Sequence, residues 1–282
     1  MRLLLPAGLA FIMFALGLGL RAADFRRVLT RPLAMAAGLA AQLAVLPLLA
    51  WLLATLLGLS PTAAAGLMIL AACPGGVTAG MVTHLARGET ALSISLTALT
   101  SLLAFVSVPL VVGLGLDHFA ATQAQVRLPL GPTAGALVLV TLLPVGAGVA
   151  LGGSGRIGPR AIRLTQGAAT AIFALIVVAT FARYWDPMMT HLPAVGPAAL
   201  LLNLSTMAVG ALLGGLVRLE GAGRVALAME CGMQNSALGI TLAISVLDRP
   251  ELAVPSVVYA LLMNLSALAV IAVRRARLPL PA

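Results

Sequence analysis

Nine long apolar stretches, separated by short polar connections, run along the chain at 3–20, 33–57, 62–86, 90–116, 133–152, 164–181, 193–217, 225–247 and 254–273. A helix needs about 20 apolar residues to cross the hydrocarbon core of a bilayer. Backbone in lipid must satisfy its own hydrogen bonds, which favours helices. The pattern therefore predicts an all-α polytopic membrane protein with nine transmembrane spans. The first stretch has the outline of a secretory signal, with Arg2 ahead of it and Ala22 and Ala23 behind. Arg21 at its end, followed by Arg26, Arg27 and Arg31, favours a retained span.

Composition agrees with that class. Apolar residues make up 61% of the chain and charged residues 9%, with a mean hydropathy of +1.10. Soluble domains carry about 25% charged residues. A net charge of +9 would suit nucleic acid if the cations formed one basic face, but the 17 basic residues are all arginines placed between apolar stretches. Thirteen lie in alternate connections or the C-terminal tail: Arg21, Arg26, Arg27, Arg31, Arg87, Arg156, Arg160, Arg163, Arg218, Arg224, Arg274, Arg275 and Arg277. Only Arg2, Arg127, Arg183 and Arg249 fall on the other side. The positive-inside rule then puts the N-terminus outside and the C-terminus in the cytoplasm of an inner (plasma) membrane. Cys73 and Cys231 both lie within apolar stretches, so no disulfide framework is implied. His84, His118 and His191 fall at span ends or in connections and read as interfacial. Neither nucleic acid nor a protein partner is implied.

Two spans are interrupted. The third contains Cys73-Pro74-Gly75-Gly76, and the eighth contains Glu230-Cys231-Gly232-Met233-Gln234-Asn235. Proline removes a helical hydrogen bond and glycine frees the backbone, so each segment predicts local unwinding. Glu230 is the one acidic residue of eight inside a long apolar run. A carboxylate at membrane depth is normally paired, solvated in a cavity or ligating an ion. The plainer alternative is a protonated glutamic acid that only packs helices.

The broken spans are five apart in order, so they cross in opposite directions, as the paired interruptions of an inverted-repeat transporter do. The second span pairs with the seventh, Gln42 corresponding to Asn203, and the fourth pairs with the ninth. The fifth has no partner. This organisation divides the chain into a first repeat at 1–116, an external connection at 117–132 and a second repeat at 133–282. Unwound backbone offers carbonyl oxygens to a cation, and the half-helix after a break offers free N–H groups to an anion.

The two broken segments, with Thr83-His84-Leu85-Ala86-Arg87-Gly88, Ala91-Leu92-Ser93, Ile12-Met13-Phe14, Asp24-Phe25, and Gln42 with Pro47, resemble the bile acid:sodium symporter family over nearly the whole chain. The resemblance implies a nine-span version lacking the family's first span, with core and panel domains that move against each other. The core would be spans two, three, four, seven, eight and nine, and the panel spans one, five and six. It implies one sodium site formed by Gln42, Glu230, Cys231, Met233 and Gln234, with Cys231 and Met233 acting through their carbonyls. A second sodium site would use Ser93, Thr97 and Glu230, but the family's Ser-Asn pair reads Ala79-Gly80 here, so two side-chain oxygens are missing. The organic anion would meet Gly75, Gly76, Val77 and Thr78, with the usual hydroxyl displaced from position 77 to Thr78, and Asn235 and Asn264 would line the cavity.

The function expected is sodium-coupled uptake of a small organic anion, bile-acid-like or a hydroxy or keto acid. Two alternatives stay open: a proton-coupled transporter in which Glu230 titrates, and an arsenite-type exporter using Cys73 with Glu230. An intramembrane enzyme has no support, because the chain lacks GxGD and HExxH motifs and a serine with a basic partner at membrane depth.

Overall fold

The apolar stretches become helices in a computed structural model, which describes residues 4–21, 24, 26, 30–76, 78–119 and 130–277. In chain order the helices are α1 (Leu4–Gly19), α2 (Pro32–Leu56), α3 (Pro61–Ala72), α4 (Ala79–Leu85), α5 (Thr90–Phe119), α6 (Gly131–Gly153) and α7 (Pro159–Arg183). They continue as α8 (Trp185–Leu216), α9 (Gly221–Gly232), α10 (Ser236–Val246) and α11 (Val254–Arg277). Six of these elements are at least 18 residues long and apolar enough to cross a membrane, and α1, α3 and α10 are shorter apolar helices. This is the architecture of a polytopic membrane protein.

Both expected interruptions are real breaks. Cys73 leaves the helical region (ψ 144) because Pro74 disfavours the α conformation before it, and α3 stops at Ala72. In the second break Met233 is extended, and Asn235 caps α10 by accepting from the Leu238 N–H at 3.1 Å.

Two boundaries differ from the sequence reading. The seventh span was expected to begin at Pro193, yet α8 starts at Trp185 and continues through Pro193 and Pro197; packing against neighbouring helices lets a membrane helix tolerate internal prolines. Helix α5 reaches Phe119, so the start of the expected external connection is helical, and residues 120–129 lie outside the described residues. Helices α2, α6 and α10 each widen into a π turn, at Ala41–Val45, Val138–Leu142 and Leu242–Val246. The first two precede Pro47 and Pro144, whose rings crowd the carbonyl four residues back.

Helix α1 packs on α6 and α7. Backbones touch there: a Cβ on Gly148 would collide with the Phe14 carbonyl, and one on Gly152 would lie 2.6 Å from the Leu18 carbonyl. The pairing of 14 with 148 and 18 with 152 shows that α1 and α6 run parallel. The remaining helices pack chiefly on one another, with α8 against α9 and α11, and α3 against α2 and α5.

The arginine-rich connections meet at one end of the molecule. Arg31 Nη1 donates to Glu89 Oε2 at 2.8 Å, the Glu89 N–H donates to the Ala222 carbonyl at 2.9 Å, and Arg275 Nε donates to the Leu85 carbonyl at 3.2 Å.

Candidate functional site at the paired breaks

The two breaks lie against each other and exchange the hydrogen bonds that their helices lost. The Gly76 N–H donates to the Met233 carbonyl at 2.6 Å, the Asn235 N–H donates to the Pro74 carbonyl at 2.9 Å, and Gly75 and Gln234 form an antiparallel bridge between them. Glycine is required by the close approach: a Cβ on Gly75 would fall on Glu230 Oε1, and one on Gly76 would sit 3.0 Å from the Gln234 carbonyl oxygen.

A helix leaves its last carbonyls without intrahelical donors, and burying them unpaired is costly. At the end of α9 every such oxygen finds a donor. Gln42 Nε2, from the π turn of α2, donates to the Glu230 carbonyl at 2.7 Å. Gln234 Nε2 donates to the Cys231 carbonyl at 2.8 Å. Asn203 Nδ2 and the Tyr259 hydroxyl both donate to the Gly232 carbonyl, at 2.8 and 3.0 Å. Asn203 is held in turn by the Ser266 hydroxyl, which donates to its Oδ1 at 2.5 Å. Tyr259 and Ser266 are site-building residues that the sequence reading did not single out; Asn203 was named only as the counterpart of Gln42, without this partner.

The Glu230 side chain is fully buried. Ser93 Oγ donates to its Oε2 and Thr97 Oγ1 to its Oε1, each at 2.6 Å, so both oxygens act as acceptors. Ser93 and Thr97 are one turn apart on α5 and present their hydroxyls together. Gln42, Ser93, Thr97, Cys231, Met233 and Gln234 are thus gathered around one carboxylate or the backbone beside it, and all six are buried. Gln42 Oε1 accepts from Gln234 Nε2 at 3.3 Å, whereas Gln234 Oε1 is buried without a hydrogen-bond partner. Beside the hydroxyl pair, Ala79 is buried and the space at Gly80 is taken by Ile94, whose Cγ1 would lie 2.9 Å from a Cβ there. Ser95 turns back to the Ala91 carbonyl.

A small cavity of about 20 Å³, room for about one water, adjoins the crossing, lined by Gly76, Thr78, Gln234, Asn235 and Ser236 on one side and by Thr170 and Phe173 of α7 on the other. The Ser236 hydroxyl is buried and unpartnered. Val77 lies outside the described residues. Asn264 is placed elsewhere: its amide donates to the Ala260 carbonyl of its own helix at 2.6 Å, and its neighbour Met263 reaches the cavity wall instead. The Cys73 thiol donates to the Ile69 carbonyl at 3.2 Å, and Cys231 is buried.

Comparison with known proteins gives a consistent answer. The model of the sodium bile acid symporter family matches residues 6–191. An uncharacterised sodium-dependent transporter of Bacillus subtilis is 31% identical over 92% of this chain and 78% of its own length. A probable chloroplastic sodium/metabolite cotransporter of Arabidopsis thaliana is 30% identical over 89% of this chain but 61% of its own length. Sodium/bile acid cotransporter 4 of Mus musculus is 28% identical over 81% of this chain and 53% of its own length.

Proposed function

The chain belongs to the sodium bile acid symporter family, a family of transporters and not of enzymes, and on that premise we propose that it couples sodium entry to uptake of a small organic anion by alternating access. The observation that carries the coupling is the buried carboxylate of Glu230 in the last turn of α9. A helix C-terminus carries partial negative charge, and here the ends of α9 and α3 meet around a carboxylate. Such a concentration of negative charge is relieved by a cation. The donors at hand are all oxygen, which suits a hard ion such as sodium. In this reading Gln42, Glu230, Gln234 and the carbonyls of Cys231 and Met233 hold it, and the orphaned Gln234 Oε1 supports that assignment.

The second set, Ser93 and Thr97 with Glu230, contributes one ion site at most a weak one, because Ala79 and Gly80 supply no side-chain oxygen and Ile94 fills the space. We assign one sodium per cycle. The substrate anion would bind at the crossing beside Gly75, Gly76, Thr78 and Asn235, where the small cavity must widen to admit it, with Asn264 contributing only after a change of rotamer. Sodium at Glu230 neutralises the carboxylate and pins the unwound segment, which favours the anion, and the anion favours sodium by the same factor.

Nine spans, an N-terminus outside and a cytoplasmic C-terminus in the inner membrane complete the reading, with α1, α6 and α7 as the panel and the rest as the core. The parallel α1 and α6 support an odd number of crossings between them, and the joined arginine-rich connections support one cytoplasmic face. The repeat boundaries near 116 and 133 follow from the paired breaks. The arsenite-exporter alternative loses its main support, because the Cys73 thiol donates to its own helix, while the hydrogen bonds to the Glu230 carboxylate come from Ser93 and Thr97. Uptake of candidate carboxylates into proteoliposomes tests the function. An inward sodium gradient, but not potassium, should drive accumulation; accumulation driven only by external acid would assign the carboxylate to protons.

A further inference from the structure

Between the crossing and the arginine-rich end lies a second, larger cavity of about 500 Å³. It continues from the first, since Thr78 and Thr170 line both. One wall belongs to α7, where Arg163, Gln166, Gly167 and Thr170 follow at intervals of three, one and three residues, a single helical stripe. Seven residues at 1.5 Å rise carry that stripe about 10 Å, from the edge of the crossing to the mouth. The rest of the lining is largely apolar, with Leu16, Leu20, Met81 and Ile94.

The charge on this surface is one-sided. Among the lining residues there is no aspartate or glutamate, and Arg163 is the one guanidinium. Arg163 is exposed to the cavity and has no ion pair or side-chain hydrogen bond among the described residues. A guanidinium between apolar walls, facing no carboxylate, creates a positive field that a cleft focuses on whatever passes through. Its fork of donors matches a carboxylate or sulfonate. His84 also lines the cavity and adds no negative charge.

We propose that Arg163 is an anion docking point of this vestibule, which holds the charged end of an organic anion moving between the crossing and the mouth, with Gln166 and Thr170 as the polar rail toward the crossing and the apolar wall receiving the rest of the molecule. The proposal rests on the transport of an organic anion stated above and adds a position and a residue to it. It also sets the fitting ligand: a monoanion with an apolar face, since a second charge would find no second guanidinium in this lining.

The test needs neither the natural substrate nor sodium, so it separates this site from the coupling reading. A Cβ at Gly167 meets nothing within 4 Å, which makes Gly167→Cys a tolerated reporter one turn from Arg163. Cys73 and Cys231 are buried and serve as a silent background. The purified variant is reacted with an anionic sulfonate-bearing and a cationic ammonium-bearing methanethiosulfonate reagent of similar size. We expect the anionic reagent to react roughly tenfold faster, an advantage that Arg163→Gln removes and Arg163→Lys largely keeps. Equal rates in the Arg163 protein, or a preference that survives Arg163→Gln, would overturn the proposal. So would an unreactive cysteine in both Gly167→Cys and Thr170→Cys, since the vestibule must then be closed to such ligands. Failure of sodium-driven uptake with the labelling preference intact would count against the coupling alone.

Discussion

Thr97 donates a 2.6 Å hydrogen bond to Glu230 Oε1 and also forms part of the wall of the vestibule. The buried carboxylate is therefore one hydroxyl away from the large cavity, which links the proposed ion site to the space through which solutes would move. Removing the hydroxyl should sever that link at little steric cost. Thr97→Val is expected to fold, to lose about 1–3 kcal/mol of stability for the hydrogen bond stranded at the carboxylate, and to require several-fold more sodium for half-maximal stabilisation. Sodium titrations followed by thermal unfolding measure both. A variant with wild-type stability and sodium response would detach Thr97 from the site.

Gly75 is the position where a single methyl group does most. Its Cβ would fall on Glu230 Oε1, whereas a Cβ at Gly135 meets nothing within 4 Å. Gly75→Ala should therefore displace the carboxylate and abolish sodium-dependent stabilisation and uptake, while Gly135→Ala stays at or above wild-type stability, because alanine is the better helix former. Equal behaviour of the two variants would mean that the breaks are not packed as described.

The Gly232 carbonyl has two donors, and they are unequal. Asn203 also bonds to the Tyr259 hydroxyl at 3.2 Å and accepts from Ser266, whereas Tyr259 loses only its hydroxyl on conversion to phenylalanine. Asn203→Ala should cost about 2–3 kcal/mol and Tyr259→Phe about 1 kcal/mol in unfolding measurements. The reverse order would place the anchoring function on the tyrosine.

One sodium per cycle predicts a Hill coefficient near one for sodium-dependent uptake. Ala79→Ser with Gly80→Asn would supply the absent oxygens, but an asparagine at 80 meets Ile94. The coefficient or the sodium affinity should therefore rise only when Ile94→Ala is added to make room. A wild-type coefficient close to two would mean that other oxygens complete a second site.

Much of this arrangement is written locally in the chain. Pro74 with two following glycines, and Gly232 ahead of a Gln-Asn pair, mark both breaks, and the structure opens the helix at Cys73 and at Met233. Gln42, Ser93 and Thr97 were placed near Glu230 by resemblance, and all three lie on it or on its carbonyl. What escaped the reading, Tyr259 altogether and the partner of Asn203, involves backbone. Asn203 and Tyr259 converge on a glycine carbonyl from 29 and 27 residues away, and a carbonyl leaves no trace in a sequence. Helix α8 escaped differently, because the apolar stretch begins at Pro193 while tertiary packing carries the helix past it to Trp185. The Arg163 stripe was counted as topology, as an arginine near a span end usually is, and only the cavity beside it gives it another use.

The central claim is that Glu230 holds the coupling sodium, and thermal unfolding of the purified protein in sodium against potassium tests it most directly. Binding to the native state stabilises by mass action, about 2.7 kcal/mol when the ion is at 100 times its Kd. The account predicts a Tm that rises with sodium and not with potassium in the wild type, and a Glu230→Gln protein that remains folded but shows no sodium-specific rise. An undiminished sodium shift in Glu230→Gln would contradict it.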